Sequence, residues 1–153
     1  GLARGAWDAR SNLPSFGVVQ TGPTEMSIYL TTHHTMYDYH MRRYSLRLDG
    51  FASVNAPFSG GEMVTKPLTF FGQKLVINYS TSSIGHVKVE LQDANGEPIP
   101  GFEMVDADEI VGDEIHRTVT WKDSSDVTSL AGKPIRLRFE MKDADLYSIQ
   151  FQD

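Results

Sequence analysis

The sequence contains no cysteine and no long apolar run, and its basic residues are fewer than its acidic ones. Without cysteine, a disulfide scaffold, a thiolate metal site and a cysteine nucleophile are excluded. No run approaches the ~20 apolar residues that a membrane-spanning helix needs. With 14 basic and 20 acidic residues the net charge is -6. We therefore expect neither a nucleic-acid partner nor a membrane partner, because an acidic surface offers no attraction to an anionic one.

Apolar and polar residues alternate over much of the chain, which is the period of a β-strand with one buried face. The clearest alternating runs are 26–30, 44–48, 75–79, 87–91, 135–141 and 147–151. A tight turn is predicted at 93–98, because the Asn-Gly pair within it tolerates positive φ. The pattern predicts an all-β fold, an antiparallel β-sandwich that is jelly-roll-like, with a small closed barrel as the alternative. The residues predicted to form one core between two sheets are Leu75, Ile77, Val87, Val89, Leu137, Phe139, Ile149 and Phe151.

The patterning changes along the chain of 153 residues. Residues 1–24 are rich in glycine, proline and polar residues, whereas dense alternation begins near residue 45. We predict a lead-in segment at 1–44 and a β-sandwich domain at 45–153, which is an ordinary domain size. The first residues lack a basic stretch followed by an apolar one, so no signal peptide is expected within them.

The segment 31–40 is the densest in side chains that could contact a ligand, with three of the five histidines. A sugar presents apolar C–H faces flanked by hydroxyls, so its site needs aromatic rings beside polar groups. If the chain contacts sugar, we predict that Tyr37 and Tyr39 stack on it. The groups predicted to bind its hydroxyls are His33, His34, Asp38 and His40. The same imidazoles and carboxylate could instead bind a divalent metal, or the segment could be a polar loop with local packing.

Two acidic stretches are further candidates. The run 106–114 could bind calcium, supply the paired carboxylates of glycoside hydrolysis, or be a solvated loop. Its spacing does not match an EF-hand. The aspartates at 143–145 are expected to cap a turn. We therefore predict no metal site and no cofactor.

The aromatic residues suggest both core and surface positions. Trp121 lies in an alternating run and is predicted to be buried. Phe70 and Phe71 are adjacent, so one ring is expected to point outward in an extended strand. That outward ring, or Trp7 in the lead-in segment, would be the next place to look for a sugar platform.

No catalytic motif is recognisable in the chain. It has no Gly-x-Ser-x-Gly elbow, no phosphate-binding glycine loop and no His-Glu-x-x-His. No residue is therefore assigned a catalytic role.

The chain resembles the C-terminal β-sandwich region of large bacterial proteins related to glycoside hydrolases of the five-bladed propeller type, the families 32 and 43 group. The segments that carry the resemblance are 43–51, 61–70, 89–93, 98–102, 119–122, 130–139 and 142–147. It implies that the catalytic carboxylates belong to an upstream propeller, of which residues 25–40 would be the last segment. The expected partners are thus a carbohydrate and an adjacent catalytic domain.

The resemblance implies an accessory module of a secreted or periplasmic protein, which binds carbohydrate or supports the catalytic propeller. Two alternatives from other classes stay open. One is a glycan-acting enzyme whose site is the 33–40 or the 106–114 segment. The other is a purely structural or interaction module.

Overall fold

The computed structural model describes residues 13–33 and 37–153. The chain divides into two compact units, Gly1–Phe51 and Ala52–Asp153. The strand His40–Arg47 runs across the predicted boundary between residues 44 and 45, and the division falls after Phe51. None of the helices in the described part of the chain has the length and apolarity needed to cross a bilayer.

The first unit contains one antiparallel sheet arranged around a central strand. Its strands are β1 (Leu13–Pro14), β2 (Val19–Gln20), β3 (Glu25–Thr32) and β4 (His40–Arg47). β4 pairs with the whole of β3, from Thr32 opposite His40 to Glu25 opposite Arg47. The short strands β1 and β2 pair with the two ends of β3. This register makes β3 and β4 a hairpin whose turn carries the predicted site.

The second unit contains an antiparallel sheet of five strands. They are β5 (Val54–Ala56), β6 (Gly61–Val64), β7 (Lys74–Asp93), β8 (Asp113–Thr118) and β9 (Ile135–Gln152). β7 and β9 pair along almost their full length, β8 pairs with β7, and β5 and β6 pair with β9. The predicted all-β, antiparallel, sandwich-like class is confirmed. The four alternating runs from 75 to 91 and from 135 to 151 belong to two long strands, not to four.

The core of the second unit consists largely of the residues that alternation predicted. Six of the eight have no exposed surface, while Ile149 and Phe151 are half-buried and pack against the others. All eight lie on β7 and β9 of the same sheet. Residues from the segment between these strands complete the core; they include Ala107, Ile110, Val119, Trp121, Val127 and Leu130. The same segment contains a single 3-10 turn, Thr128–Leu130.

A buried carboxylate ties β7 to its neighbours. Glu90 accepts hydrogen bonds from Gln92 Nε2 at 2.8 Å, the Met104 backbone N–H at 2.9 Å and Arg138 Nη1 at 3.3 Å. Burial alone would raise the pKa of Glu90, but these hydrogen bonds outweigh it and hold the pKa below its ordinary value of 4.5.

This arrangement predicts a pH-dependent contribution to stability. Because the pKa is lower in the folded state, the contribution is complete above about pH 4.5 and is lost as the pH falls through the folded value. We expect Glu90→Gln to lower the free energy of unfolding by ~1–3 kcal/mol at neutral pH. Urea unfolding of both proteins across the acid range measures this. A difference that stays constant down to the acid limit would show that the Glu90 charge does not stabilise the fold.

Candidate functional site

The turn between β3 and β4 holds the predicted site residues that the structure describes. His33 follows the last residue of β3, and His40 is the first residue of β4. Between them, Tyr37 is fully exposed and Tyr39 is mostly exposed. His34 lies outside the described residues, as does Trp7.

A histidine and an aspartate connect the two sides of this turn. His33 Nδ1 lies 2.5 Å from Asp38 Oδ2, and His33 has a φ of 54°, in the left-handed region. An ionised carboxylate can only accept, so the His33 Nδ1–H group donates. The Asp38 side chain is 43% exposed, so water screens the pair and its contribution to stability is modest. Its main consequence is geometric, because it holds the Asp38 side chain beside His33 at the end of β3.

His40 makes a second set of contacts, and these assign its tautomer. Arg42 Nε–H donates to His40 Nε2 at 3.0 Å, and a guanidinium has only donors. Nε2 therefore accepts, and the Thr32 hydroxyl oxygen lies 3.0 Å from the same nitrogen. The Nδ1–H group donates to the Asp38 carbonyl oxygen at 2.7 Å. Both ring nitrogens of His40 therefore contact other described residues of the hairpin.

The two described histidines also contact each other. The rings of His33 and His40 lie edge to face, with centroids 5.2 Å apart. The structure therefore brings His33, Asp38 and His40 into one hydrogen-bonded group, and Tyr37 and Tyr39 are displayed on the same turn. Sequence reasoning missed Thr32 and Arg42, which support His40. The hairpin register, with Thr32 opposite His40, is the signal that points to Thr32.

Two carboxylates of the acidic run 106–114 make hydrogen bonds and an ion pair within the second unit. Asp106 is buried and pairs with Lys122 Nζ at 2.7 Å. Asp108 accepts from Thr120 Oγ1 at 2.5 Å and from the Asp123 backbone N–H at 3.1 Å. The hydrogen bond from Thr120, followed by that from Asp123, lowers the pKa of Asp108. These two carboxylates therefore stabilise the loop around 120–124.

Within residues 13–33 and 37–153, no group of three His, Asp or Glu side chains is arranged to hold a metal ion.

Asp145 and Trp121, which the sequence also singled out, both make hydrogen bonds that connect parts of the second unit. Asp145 accepts from Ser53 Oγ at 2.6 Å and from Asn55 Nδ2 at 3.1 Å, so it fixes the start of β5. Trp121 is buried, as predicted, and its Nε1–H donates to the Val89 carbonyl oxygen at 2.7 Å.

The adjacent phenylalanines separate as expected. Phe70 is buried and stacks on Phe151 with ring centroids 3.8 Å apart. Phe71 is 84% exposed, which confirms that one ring of the pair points outward. Phe71 therefore serves as a comparison for the exposed tyrosines of the turn.

No family model, no curated protein and no solved structure matches this chain. Its function is therefore argued from the chemistry of the turn.

Proposed function

We propose that the chain is an accessory module of a carbohydrate-active protein and that the β3–β4 turn contacts the sugar. The observation that carries this proposal is the display of Tyr37 and Tyr39 on a turn held by side-chain hydrogen bonds. In the same proposal, the resemblance to propeller-type glycoside hydrolases supplies the second partner, an adjacent catalytic domain.

The exposed rings supply the apolar half of a sugar site. A tyrosine ring offers a flat face to the C–H groups of a pyranose, and its hydroxyl is a polar group at the edge of that face. Tyrosine also loses little conformational entropy when it is immobilised, since it has only two side-chain torsions. Tyr37 and Tyr39 therefore form a contact surface for a flexible glycan that loses little side-chain entropy on binding.

The hydrogen-bonded group supplies rigidity and polar contacts. The His33–Asp38 contact and the contacts of His40 hold the described residues of the turn in place before any ligand arrives. A turn that is already ordered loses less entropy on binding than a mobile one. The partly exposed carboxylate of Asp38 has further acceptor capacity for sugar hydroxyls. The net charge of -6 favours neutral glycans over strongly anionic ones.

Calorimetric titration of the chain with neutral glucan, xylan, mannan and fructan oligosaccharides tests the proposal. We expect at least one of them to bind, and we expect the Tyr37→Ala, Tyr39→Ala double variant to bind it roughly tenfold more weakly or worse. That estimate corresponds to about 1.4 kcal/mol or more from two aromatic contacts. The matched control is Phe71→Ala, which removes an exposed ring of the second unit and should leave the affinity unchanged.

Two results would contradict this assignment. If no oligosaccharide binds, the module does not recognise neutral glycans. If binding survives the double tyrosine variant but is lost in Phe71→Ala, the sugar platform lies in the second unit.

A glycan-acting enzyme is the second candidate, because the close His33–Asp38 contact resembles a carboxylate-oriented general base. The exposure of Asp38 argues against it, since water weakens such a pair. We expect binding without release of reducing ends. Release of reducing ends that His33→Ala abolishes would identify an enzyme instead.

A further inference from the structure

The second unit has a cleft of ≈ 350 Å³ whose lining residues all belong to that unit. The turn 59–61 forms one wall, and the rest is lined by Met141 and by the polar side chains of Glu62, His86, Glu140 and Lys142. Phe139 and Met141 alternate with Glu140 and Lys142 and are buried in the core. The cleft therefore lies on the face of the sheet that points away from the core.

Sheet register brings these four side chains together from three strands. Glu62 of β6 is paired with Glu140 of β9, and His86 of β7 is paired with Lys142 of β9. Directly paired residues project from the same face of a sheet, so the four side chains form two adjacent rows. The pairing of β6 with β9 places the carboxylates of Glu62 and Glu140 opposite each other. Two like charges in this position destabilise the sheet unless cations lie nearby.

Glu62 accepts hydrogen bonds from a cation, Arg138, which it shares with Glu90, whereas Glu140 has no such hydrogen bond within the described residues. Arg138 donates to Glu62 through Nη2 at 2.6 Å and through Nε at 3.3 Å. Glu140 Oε1 lies 3.9 Å from His86 Nε2. That separation is too long for a hydrogen bond. Glu140 therefore has unused acceptor capacity, and His86 has unused hydrogen-bonding capacity toward the same space.

An aromatic ring stands next to these groups. Phe58 is 59% exposed, and the Lys142 ammonium lies 4.5 Å from its ring centroid. This contact positions the Lys142 ammonium, a donor of three hydrogen bonds, beside an apolar surface.

We propose that this cleft binds a neutral polyol of about pyranose size. Glu140 accepts hydrogen bonds from hydroxyls, His86 and Lys142 donate to them, and the contact with Phe58 holds the Lys142 ammonium at the edge of the cleft. Arg138 is shared by Glu62 and Glu90, and Glu140 has Lys88 as its cross-strand neighbour on β7. With Lys142, three cations match these three carboxylates, so the cleft offers no net attraction to an ion. Its volume is near the lower end of the range for small-molecule sites.

The probes for this site are the methyl glycosides of glucose, galactose, mannose and xylose, added to the full chain and followed by amide chemical shifts. We expect one of them to shift the resonances of His86, Glu140 and Lys142 together and to saturate. Glu140→Ala should weaken this binding roughly tenfold, because it removes a charged acceptor. Glu97→Gln changes an exposed carboxylate of the 93–98 turn and should have no effect.

The double tyrosine variant distinguishes this site from the hairpin turn, because it should leave these shifts unchanged. If the shifts vanish in that variant, the cleft is not a separate site. Absence of a saturable response to all four glycosides would overturn the proposal. An equal response in Glu140→Ala would also overturn it, as would a stronger response to a uronate or an alkylammonium ion than to every neutral glycoside.

Discussion

Replacement of Leu137 by alanine is expected to lower the free energy of unfolding by about 2–5 kcal/mol. Leu137 has no exposed surface, and its partner Leu91 on β7 is equally buried. The long β7–β9 pairing on both sides of this position restrains the backbone, so the surrounding residues can close the cavity only in part. The cost therefore includes the lost apolar transfer energy and a cavity term. Urea unfolding followed by circular dichroism measures the difference.

Val54→Ala is the matched control for this substitution. Val54 lies in β5 of the same sheet and is 41% exposed, so its truncation leaves no closed cavity. We expect its cost to stay within ~0.5 kcal/mol, as is usual for surface positions. A cost below ~1 kcal/mol for Leu137→Ala would mean that the wrong face of β9 has been assigned to the core.

Substitution of Gly85 by alanine is expected to destabilise the protein by about 3 kcal/mol, the upper end of the usual range for overpacking. A Cβ atom at Gly85 would lie 2.4 Å from the Asp143 carbonyl oxygen and 2.5 Å from that of Lys142. Both contacts are with backbone, which cannot rotate away as a flexible side chain can. The β7–β9 register shifts between Thr81 and His86, so the clash falls at an irregular part of this pairing.

Gly61→Ala is the control that tests whether the loss of stability in Gly85→Ala comes from the clash with the β9 backbone. The nearest atom to a Cβ at Gly61 would be the Cβ of Ala56, at an ordinary distance of 3.8 Å. We expect a change within ~0.5 kcal/mol for Gly61→Ala in thermal unfolding. If both glycine variants unfold at the temperature of the wild type, the two long strands do not approach each other at Gly85 as described.

The alternating runs predicted the strands and the buried faces because both depend on local sequence. They could not show that 75–79 and 87–91 are parts of one strand, since Ser82 and Ser83 between them are typical of a turn. Pairing with β9 on either side of the register shift keeps this stretch extended. Periodicity records which side of a strand is buried, but it does not record which strand is its neighbour.

The difference between local sequence and strand pairing also explains why the β3–β4 turn could be predicted and the cleft of the second unit could not. The residues of the β3–β4 turn are close in sequence, so their composition alone drew attention to them. The cleft takes Glu62, His86 and Glu140 from three strands, and only the sheet register places them in adjacent rows. No local signal marks such a site. The support of His40 by Thr32 and Arg42 likewise depends on hairpin geometry and not on composition.

Binding of sugar by the hairpin turn is the central claim, and amide chemical-shift mapping with the oligosaccharide that binds most tightly tests it most directly. We predict that the largest shifts fall on Tyr37, Asp38 and Tyr39, with smaller shifts at His33 and His40, and that all follow one binding curve. We predict as well that these shifts are absent from the double tyrosine variant, while its other resonances stay dispersed as in the wild type. Shifts that leave residues 33–40 unchanged while others saturate would contradict the account.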